Sequence, residues 1–220
     1  YNANKVAETN KLWTGMAKET AHQIGTPLSS LLGWIAILKM EKIEDKYVEE
    51  IENDVSRLNT IANRFSKIGS MPELKKENIV AQTKQAFDYF ESRSSKQISF
   101  EFRSVNNEIY TNINKELFGW VIENLIKNSM DAMLGKGHLL LTIENPSKKV
   151  KITISDTGKG IPKKLYKQIF KPGFTTKKRG WGLGLSLSKR IIEDYHKGSV
   201  FVHKSEIDKG TSFQILLDLI

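Results

Sequence analysis

The sequence contains no cysteine. Disulfide bonds, thiolate zinc sites and cysteine nucleophiles are therefore excluded, which fits a reducing compartment. The sequence also lacks any run of 18 or more apolar residues, so no segment is predicted to span a membrane, and no secretory signal is recognisable. It begins with Tyr1 rather than methionine, and we expect it to be a fragment of a longer protein. The histidines show no paired metal-ligand spacing: His22, His138, His196 and His203.

Acidic residues are fewer than basic ones. The sequence has 34 Lys and Arg against 25 Asp and Glu, a formal net charge of +9. A basic protein is a candidate for binding nucleic acid or an anionic membrane. Here the basic residues are spread along the chain with acids between them, so we predict no nucleic-acid binding and no membrane contact by this fragment. The exception is the run Lys177-Lys178-Arg179, whose local positive charge suits a polyphosphate ligand.

Residues 1–69 are predicted to form two helices with heptad patterns. A short polar connection at residues 41–45 predicts that they form an antiparallel hairpin. Because two helices cannot bury both flanks of such seams, we predict a homodimeric four-helix bundle; a monomeric hairpin packed on the rest of the chain is the alternative. The seam residues are Ala17, Ala21, Ile24, Leu28, Leu31, Ile35 and Leu38, then Val48, Ile51, Val55, Leu58, Ala62 and Phe65.

The second part of the chain, residues 70–220, mixes helices and strands. The breaker sequence Gly69-Ser70-Met71-Pro72 marks the predicted domain boundary. Beyond it the patterns predict a sheet covered by helices, so the fold class is α+β: a helical hairpin followed by an α/β sandwich. The predicted helices cover residues 79–90, 115–133 (capped by Asn114) and 183–195; the predicted strands lie at 98–102, 138–143, 150–155, 199–203 and 212–217.

Two glycine clusters stand near the C-terminus, one after a predicted strand and one before a predicted helix. They read Asp156-Thr157-Gly158-Lys159-Gly160 and Gly180-Trp181-Gly182-Leu183-Gly184. Glycine lets the backbone approach a ligand closely, so the two clusters suggest a bound nucleotide. The Gly-Lys-Ser/Thr ending of a P-loop is absent, and the second cluster has neither the spacing nor the position of a dinucleotide-binding fingerprint.

Four blocks in order resemble the N, first glycine, F and second glycine boxes of the histidine-kinase-type ATPase domain, the Bergerat fold. They lie at residues 124–132, 156–161, 169–177 and 180–186, and the resemblance extends to residues 210–213. Each block alone is weak, but four in order at compatible spacing are specific. The resemblance implies that the chain binds ATP and Mg²⁺ in an ATP-binding domain.

The family's roles can be carried over onto the matching positions. The resemblance implies that Asn128 binds Mg²⁺, that Asn124 supports the phosphates or the metal, and that Asp156 accepts a hydrogen bond from the adenine amino group. Gly158 and Gly160 would let the backbone pass close to the base. Amides at a helix N-terminus near Gly182 and Gly184 would hold the phosphates, and a cation of the lid, Lys177, Lys178 or Arg179, would reach the γ-phosphate. The other residues expected to line the nucleotide site are Asp131, Ile161, Phe170, Thr175, Thr176, Gly180, Leu183 and Leu185.

A second motif, residues 19–30, resembles the H box of sensor histidine kinases, with His22 as the phosphoacceptor. His22 follows the seam residue Ala21, so we expect it on the outer surface of the bundle. Gln23 departs from the family, which usually has Glu or Asp after the acceptor, and it cannot act as a base. We hypothesise that Glu19, three residues before His22, takes part of that role. Thr26 matches a position that aids dephosphorylation of the regulator in related families.

The resemblance therefore implies a cytoplasmic protein histidine kinase that phosphorylates His22 with ATP and passes the phosphoryl group to an aspartate of a response-regulator receiver domain. It leaves open whether the full-length protein is membrane-anchored. A competing function is that of a Bergerat-fold ATPase, although such enzymes usually carry Glu four residues before the metal-binding Asn, where this chain has Asn124. A serine kinase of related fold and a degenerate signalling scaffold are two further candidates.

Overall fold

The computed structural model describes residues 28–40, 45–68, 71–176 and 182–220. The chain divides into two compact units, with the division between Pro72 and Glu73. The described residues contain no helix that is both long enough and apolar enough to cross a bilayer.

The first unit contains two described helices, residues 28–40 (α1) and Asp45–Ile68 (α2). Their small shared core takes one residue in seven from each helix, which is one of the two seam positions of each heptad. An ion pair of 2.7 Å joins Lys39, near the end of α1, to Glu52 in the first half of α2. The core consists of Leu28, Ile35, Val48, Val55 and Ala62, with Leu38 packed against it. The predicted hairpin extends further than this, since much of its first helix lies outside the described residues.

The second unit is an α+β fold with a mixed five-stranded sheet, in keeping with the predicted class. The strands of this sheet are β2 (Ile98–Ser104), β4 (Gly137–Glu144), β5 (Lys149–Asp156), β6 (Ser199–Glu206) and β7 (Gly210–Asp218). Their order in the sheet is β2-β4-β5-β7-β6, in which β2 and β4 are parallel and the other neighbours are antiparallel. A separate antiparallel pair is formed by β1 (Lys75–Asn78) and β3 (Tyr110–Ile113), which the sequence patterns did not predict.

Three helices pack side by side over one face of the sheet: α3 (Ile79–Glu91), α4 (Lys115–Met133) and α5 (Gly184–Arg190). Alternation along β5 shows why this face is apolar, since Val150, Ile152 and Ile154 are buried while the residues between them are half-exposed. The helices supply a matching stripe that includes Leu117, Val121 and Leu125 of α4. The result is a two-layer α/β arrangement with its core between the helices and the sheet.

The C-terminal helix differs from the prediction of one regular helix over residues 183–195. α5 ends at Arg190 and continues as a π-helical turn, Ile191–Tyr195. After this turn, buried His196 donates from Nδ1 to the Ile191 carbonyl (2.8 Å) and accepts at Nε2 from the amide of Asn114 (3.0 Å). The end of α5 is thereby tied to the N-cap residue of α4. Burial lowers the pKa of His196, in keeping with a neutral ring that accepts at one nitrogen.

Candidate functional site

The site is built on α4, whose ends are defined by local chemistry. Asn114 caps the helix, its side-chain oxygen accepting from the amide of Leu117 (3.2 Å), and Leu134 ends it in the left-handed conformation. Asn124 and Asn128 lie one turn apart on this helix, and both are half-buried. The Nδ2 of Asn128 donates to the Asn124 carbonyl (2.8 Å), which assigns Oδ1 as the amide oxygen suited to a hard cation.

Asp156 ends β5 and is buried, with 6% of its surface exposed. Its Oδ1 accepts hydrogen bonds from the amides of Gly158 (2.8 Å) and Thr211 (3.3 Å). Burial raises the pKa of this carboxyl, an effect opposed by Gly158, Ser129 and Thr211. Both amides bind Oδ1, which leaves Oδ2 able to accept a hydrogen bond from a ligand.

The side chain of Ser129 supplies a second unmet polar group at this position. It is fully buried, and no described residue meets hydrogen-bond geometry with its hydroxyl, although the hydroxyl is close enough to lower the pKa of Asp156. A buried polar atom without a partner carries a cost that a ligand or an ordered water removes. The carboxylate and the hydroxyl together fit the amino edge of a purine better than an apolar ligand.

The glycines of the first cluster make close contacts with other segments of the chain. A Cβ on Gly158 would lie 2.6 Å from the backbone of Ala132 in α4. Gly160 has φ of +72°, and a Cβ there would overlap the carbonyl of Glu206. Both glycines are therefore required by close contacts within the chain, whatever they do for a nucleotide, and the first of these contacts seats the Asp156 loop on α4.

The second glycine cluster leads into α5 beside Asn124. A Cβ on Gly184 would lie 3.5 Å from Oδ1 of Asn124, and Nδ2 of Asn124 donates to the hydroxyl of Ser188 (3.5 Å). A Cβ on Gly182 would lie 2.7 Å from the carbonyl oxygen of Phe174. The first turn of α5 therefore lies against Asn124.

The two loops meet α4 at separate points along its length. The Asp156 loop contacts α4 at Ser129 and Ala132, where the amide of Lys159 donates to the Ala132 carbonyl (3.1 Å). The start of α5 meets α4 at Asn124. At 1.5 Å per residue these points are about 7 to 12 Å apart, roughly the distance from an adenine ring to the outer phosphates of an extended nucleotide. The structure thus places the predicted base-binding and phosphate-binding residues on, or in contact with, the single helix α4.

The remaining described candidates fall into two groups. Phe170 is buried and packs edge-on against Phe213, with ring centroids 6.4 Å apart. The Lys189 ammonium lies 5.6 Å from the centroid of the Phe170 ring. Phe170 therefore anchors the segment between the glycine clusters to the core. Ile161 is half-buried, and its amide donates to the Ser205 hydroxyl (2.7 Å). The others are exposed or half-buried at the edge of the site: Asp131, Thr175 and Thr176 are exposed, and Leu183 and Leu185 are half-buried.

Several predicted site residues lie outside the described residues. They are the four candidates around the phosphoacceptor, His22, Glu19, Gln23 and Thr26, and the four lid candidates Lys177, Lys178, Arg179 and Gly180. Their roles stay predictions.

The described part of the chain contains no group of three or more Asp, Glu or His residues that could hold a metal ion by itself. An ion that depends on one amide oxygen, such as that of Asn128, would need further ligands. Mg²⁺ binds in this manner, through one or two protein oxygens together with water and substrate phosphates. The residues present therefore fit an ion that arrives with a nucleotide.

Sequence reasoning missed Ser129, Ala132 and Ser205. Ser129 stood in the N box directly after Asn128, and only its complete burial marks it out. Ser205 accepts from Ile161 and donates to the Gly210 carbonyl (2.9 Å) and lies 2.8 Å from Oγ1 of Thr211. No periodicity identifies such a residue, because its partners lie on the neighbouring strand and, for Ile161, 44 residues away.

Comparison with known proteins identifies the class to which this fold and site belong. Residues 114–220 match the family of histidine kinase-, DNA gyrase B- and HSP90-like ATPases. The catalytic domain of histidine kinase ThkA is 30% identical with a TM-score of 0.62, over 67% of this chain and 96% of that domain.

Relatives of the whole chain narrow the class. Sporulation kinase D of Bacillus subtilis is 30% identical over 211 residues, which are 92% of this chain and 41% of that protein. The structure of ThkA in complex with the response regulator protein TrrA is 27% identical with a TM-score of 0.62, over 94% of this chain and 61% of that one. The chain belongs to the histidine kinase family. It spans less than half the length of sporulation kinase D, so the activity of the whole protein is inferred below.

Proposed function

We propose that this chain is the catalytic core of a sensor histidine kinase that transfers the γ-phosphoryl group of ATP to His22 and then to an aspartate of a response regulator. Residues 1–69 would form the dimerisation and phosphotransfer domain, and residues 70–220 the ATP-binding domain. The observation that carries the proposal is the pairing of Asp156 and Ser129 at one point of α4 with Asn124 and α5 at another.

Each end of the site has a distinct task in nucleotide binding. Oδ2 of Asp156 would accept a hydrogen bond from the adenine amino group, with the Ser129 hydroxyl beside it. Asn124 and the amides that begin α5 would bind the phosphates, and Asn128 would hold Mg²⁺ by its amide oxygen. The bound ion would neutralise the charge that develops on the phosphates. The lid cations Lys177, Lys178 and Arg179 would add positive charge to the same end.

The phosphoryl acceptor would be a neutral imidazole nitrogen of His22. It attacks the γ-phosphorus in line, a nitrogen–phosphorus bond forms, the bond to the β–γ bridging oxygen breaks, and ADP leaves. The other ring nitrogen must give up or share its proton as positive charge develops on the ring. Because Gln23 cannot accept that proton as a base, we propose that the Glu19 carboxylate orients the imidazole and stabilises its positive charge. The labile bond then allows transfer to the regulator.

A dimer is supported by the exposed half of the heptad seam. Val48, Val55 and Ala62 of α2 are buried, whereas Ile51 and Leu58, at the alternate seam positions, are 41% and 44% exposed. Leu31 of α1 is likewise 41% exposed. A second copy of the hairpin would cover these residues and complete a four-helix bundle.

A response-regulator receiver domain is the proposed partner, and the cytoplasm is the proposed compartment. The related kinase ThkA has been crystallised in complex with its response regulator protein. This chain covers most of that kinase's fold, which supports a partner of the same kind. Thr26 would position water for regulator dephosphorylation, so we propose phosphatase activity as a second function of the helical domain.

The deciding experiment is incubation with γ-labelled ATP and Mg²⁺. We expect label on the protein that is lost in acid, retained in alkali and absent in His22→Ala. Acid-stable label would contradict the proposal in favour of a serine kinase, and phosphate release without labelling would favour a clamp ATPase. Nucleotide binding without either reaction would favour a degenerate scaffold.

Two variants beside His22 test the proposed role of Glu19. Glu19→Gln should reduce autophosphorylation well below that of the wild type while nucleotide affinity is unchanged. Gln23→Glu, which restores the usual acid of the family, should raise the rate and rescue Glu19→Gln. Wild-type rates in both single variants would rule out this role for Glu19. Thr26→Ala should reduce phosphatase activity and leave autophosphorylation intact.

A further inference from the structure

The positive charge of this protein is concentrated in one segment. Between Asp156 and Glu193 the sequence has no acidic residue, and it has ten Lys and Arg residues. These ten more than account for the net charge of +9, so the rest of the chain is close to neutral. We predicted that basic residues are spread along the chain with acids between them, and residues 157–192 contradict this prediction.

The structure describes seven of these ten basic residues, and two of them, Lys189 and Arg190, pair with Glu193 and Asp194 of their own helical turn. The other five are lysines, and we call them the lysine row: Lys159, Lys163, Lys164, Lys167 and Lys171. All five are exposed, and none forms an ion pair with a described residue. Elsewhere in the unit Lys84, Lys149 and Lys151 have carboxylate partners, and Lys96 and Lys148, which have none among the described residues, lie far apart in the sequence. A row of five like charges without counter-charges repels itself, so it weakens the fold and requires a different explanation.

The lysine row borders the proposed nucleotide site. It starts within the loop that follows Asp156 and runs through two 3₁₀ turns, Lys163–Leu165 and Gln168–Phe170, to the segment between the glycine clusters. Hydrogen bonds fix its position: the Tyr166 hydroxyl donates to the Ser205 carbonyl (2.7 Å), and Ser205 contacts Thr211, whose amide binds Asp156. The row is therefore held on ordered backbone beside the residues that would bind the base.

We propose that the lysine row is an electrostatic steering surface that raises the association rate of ATP without touching the bound nucleotide. The proposal rests on the nucleotide site proposed above and adds residues outside it. A polyphosphate carries several negative charges, and a surface of one sign attracts it over roughly the Debye length, about 10 Å at 0.1 M salt and 30 Å at 0.01 M. Such steering changes the association rate and leaves the dissociation rate unaltered, because the charges act before contact is made.

The test is the binding rate of a fluorescent ATP analogue, measured by stopped flow at ionic strengths from about 0.01 M to about 0.5 M. The triple variant Lys163→Gln/Lys164→Gln/Lys167→Gln should associate about three- to ten-fold more slowly at the low end and within about 1.5-fold of wild type at the high end. Its dissociation rate should not change. The Arg triple at these positions, which keeps the charge, should bind like wild type.

A matched control removes three exposed lysines elsewhere in the same unit that likewise have no carboxylate partner among the described residues: Lys76→Gln/Lys96→Gln/Lys148→Gln. This control variant has the same net charge as the first triple variant, and the ATP analogue should associate with it faster. Equal slowing in both would show that net charge alone is responsible and overturn the proposal. So would unchanged association with weaker phosphotransfer to a regulator, which would assign the row to an acidic protein partner. Wild-type protein that binds no nucleotide at all would instead refute the proposed function.

Discussion

The two units of this protein bury their apolar residues to very different extents. The second unit buries most of its large apolar side chains between α3, α4, α5 and the sheet. The described residues of the first unit include only five buried apolar side chains, and more of their large apolar side chains are exposed. Those exposed residues are Leu31, Leu32, Trp34, Ile37, Met40, Tyr47, Ile51, Leu58 and Met71.

This difference indicates that the units obtain their stability from different sources. A two-layer α/β unit closes its core within one chain, so its stability should not depend on protein concentration. A helix pair with a half-covered seam gains apolar burial only from another surface, and exposed patches of this kind mark interaction sites. If a second copy covers the seam, the stability of the first unit rises with concentration.

The largest effect should follow from charging the exposed seam. Ile51→Lys/Leu58→Lys places two ammonium groups where we expect the dimer core, so self-association should weaken by at least about 100-fold. Sedimentation analysis should show a monomer, while nucleotide binding by the second unit should stay at the wild-type level.

The matched control is Asn53→Lys/Thr60→Lys, with the same spacing on an outer face of α2. Both residues are exposed and outside the seam. A dimer that persists in the seam variant, or that is lost equally in the control, would contradict the proposed interface.

A smaller effect should come from filling the tight contact at Gly160. Alanine there would carry the strain of φ +72° and would overlap the Glu206 carbonyl. We expect a loss of about 3 kcal/mol in the unfolding free energy of the second unit, at every protein concentration. Gly173→Ala, at φ +79° with nothing within 4 Å of the added Cβ, should cost only about 1 kcal/mol. Equal losses in chemical denaturation would show that the contact with Glu206 relaxes.

At the nucleotide site, Asp156→Asn should separate function from stability. The amide oxygen can still accept from Gly158 and Thr211, but Nδ2 would face the adenine amino group, so nucleotide affinity should fall by about ten-fold or more. Since burial raises the pKa of Asp156, wild-type stability increases as pH falls through that raised pKa, and this gain is lost again as pH rises to neutral.

The Asn variant should therefore be at least as stable as wild type at pH 7 and should lack this gain in acid. Asp208→Asn, an isosteric change at an exposed carboxylate, serves as the control and should alter neither property. Thermal melts with and without nucleotide, at several pH values, measure the nucleotide affinity and the pH dependence of stability. Unchanged affinity in Asp156→Asn would remove Asp156 from adenine recognition.

Much of the second unit could be predicted because its signals are local. The Asn114 cap and the apolar spacing of α4 located the helix over residues 115–133, and alternation located β2, β4 and β5. The paired strands β1 and β3 were missed because each has four residues, too few for a pattern. The π-helical turn after Arg190 was missed because apolar spacing does not distinguish it from a regular helix.

The motifs named Asn124, Asn128 and Asp156 as candidates, and their roles in nucleotide binding stay predictions. The reasons for the glycines of the candidate site were less predictable. Gly158 and Gly160 were expected to make room for the base, whereas the structure shows contacts with Ala132 and Glu206, more than 25 residues away in the chain. Such contacts depend on tertiary packing, which no local pattern contains.

The smallest effects should come from two helix glycines that have open space around them. Gly33 in α1 and Gly119 in α4 have nothing within 4 Å of an added Cβ, and alanine at either position should stabilise its helix by up to about 1 kcal/mol. Gly119→Ala should raise the unfolding midpoint of the second unit, and the size of this shift should not depend on protein concentration. Gly33→Ala should raise the midpoint of the first unit, which should itself rise with concentration in both the wild type and the variant. A first-unit midpoint independent of concentration would mean that its exposed seam is covered within one chain, and the contrast between the two units would disappear.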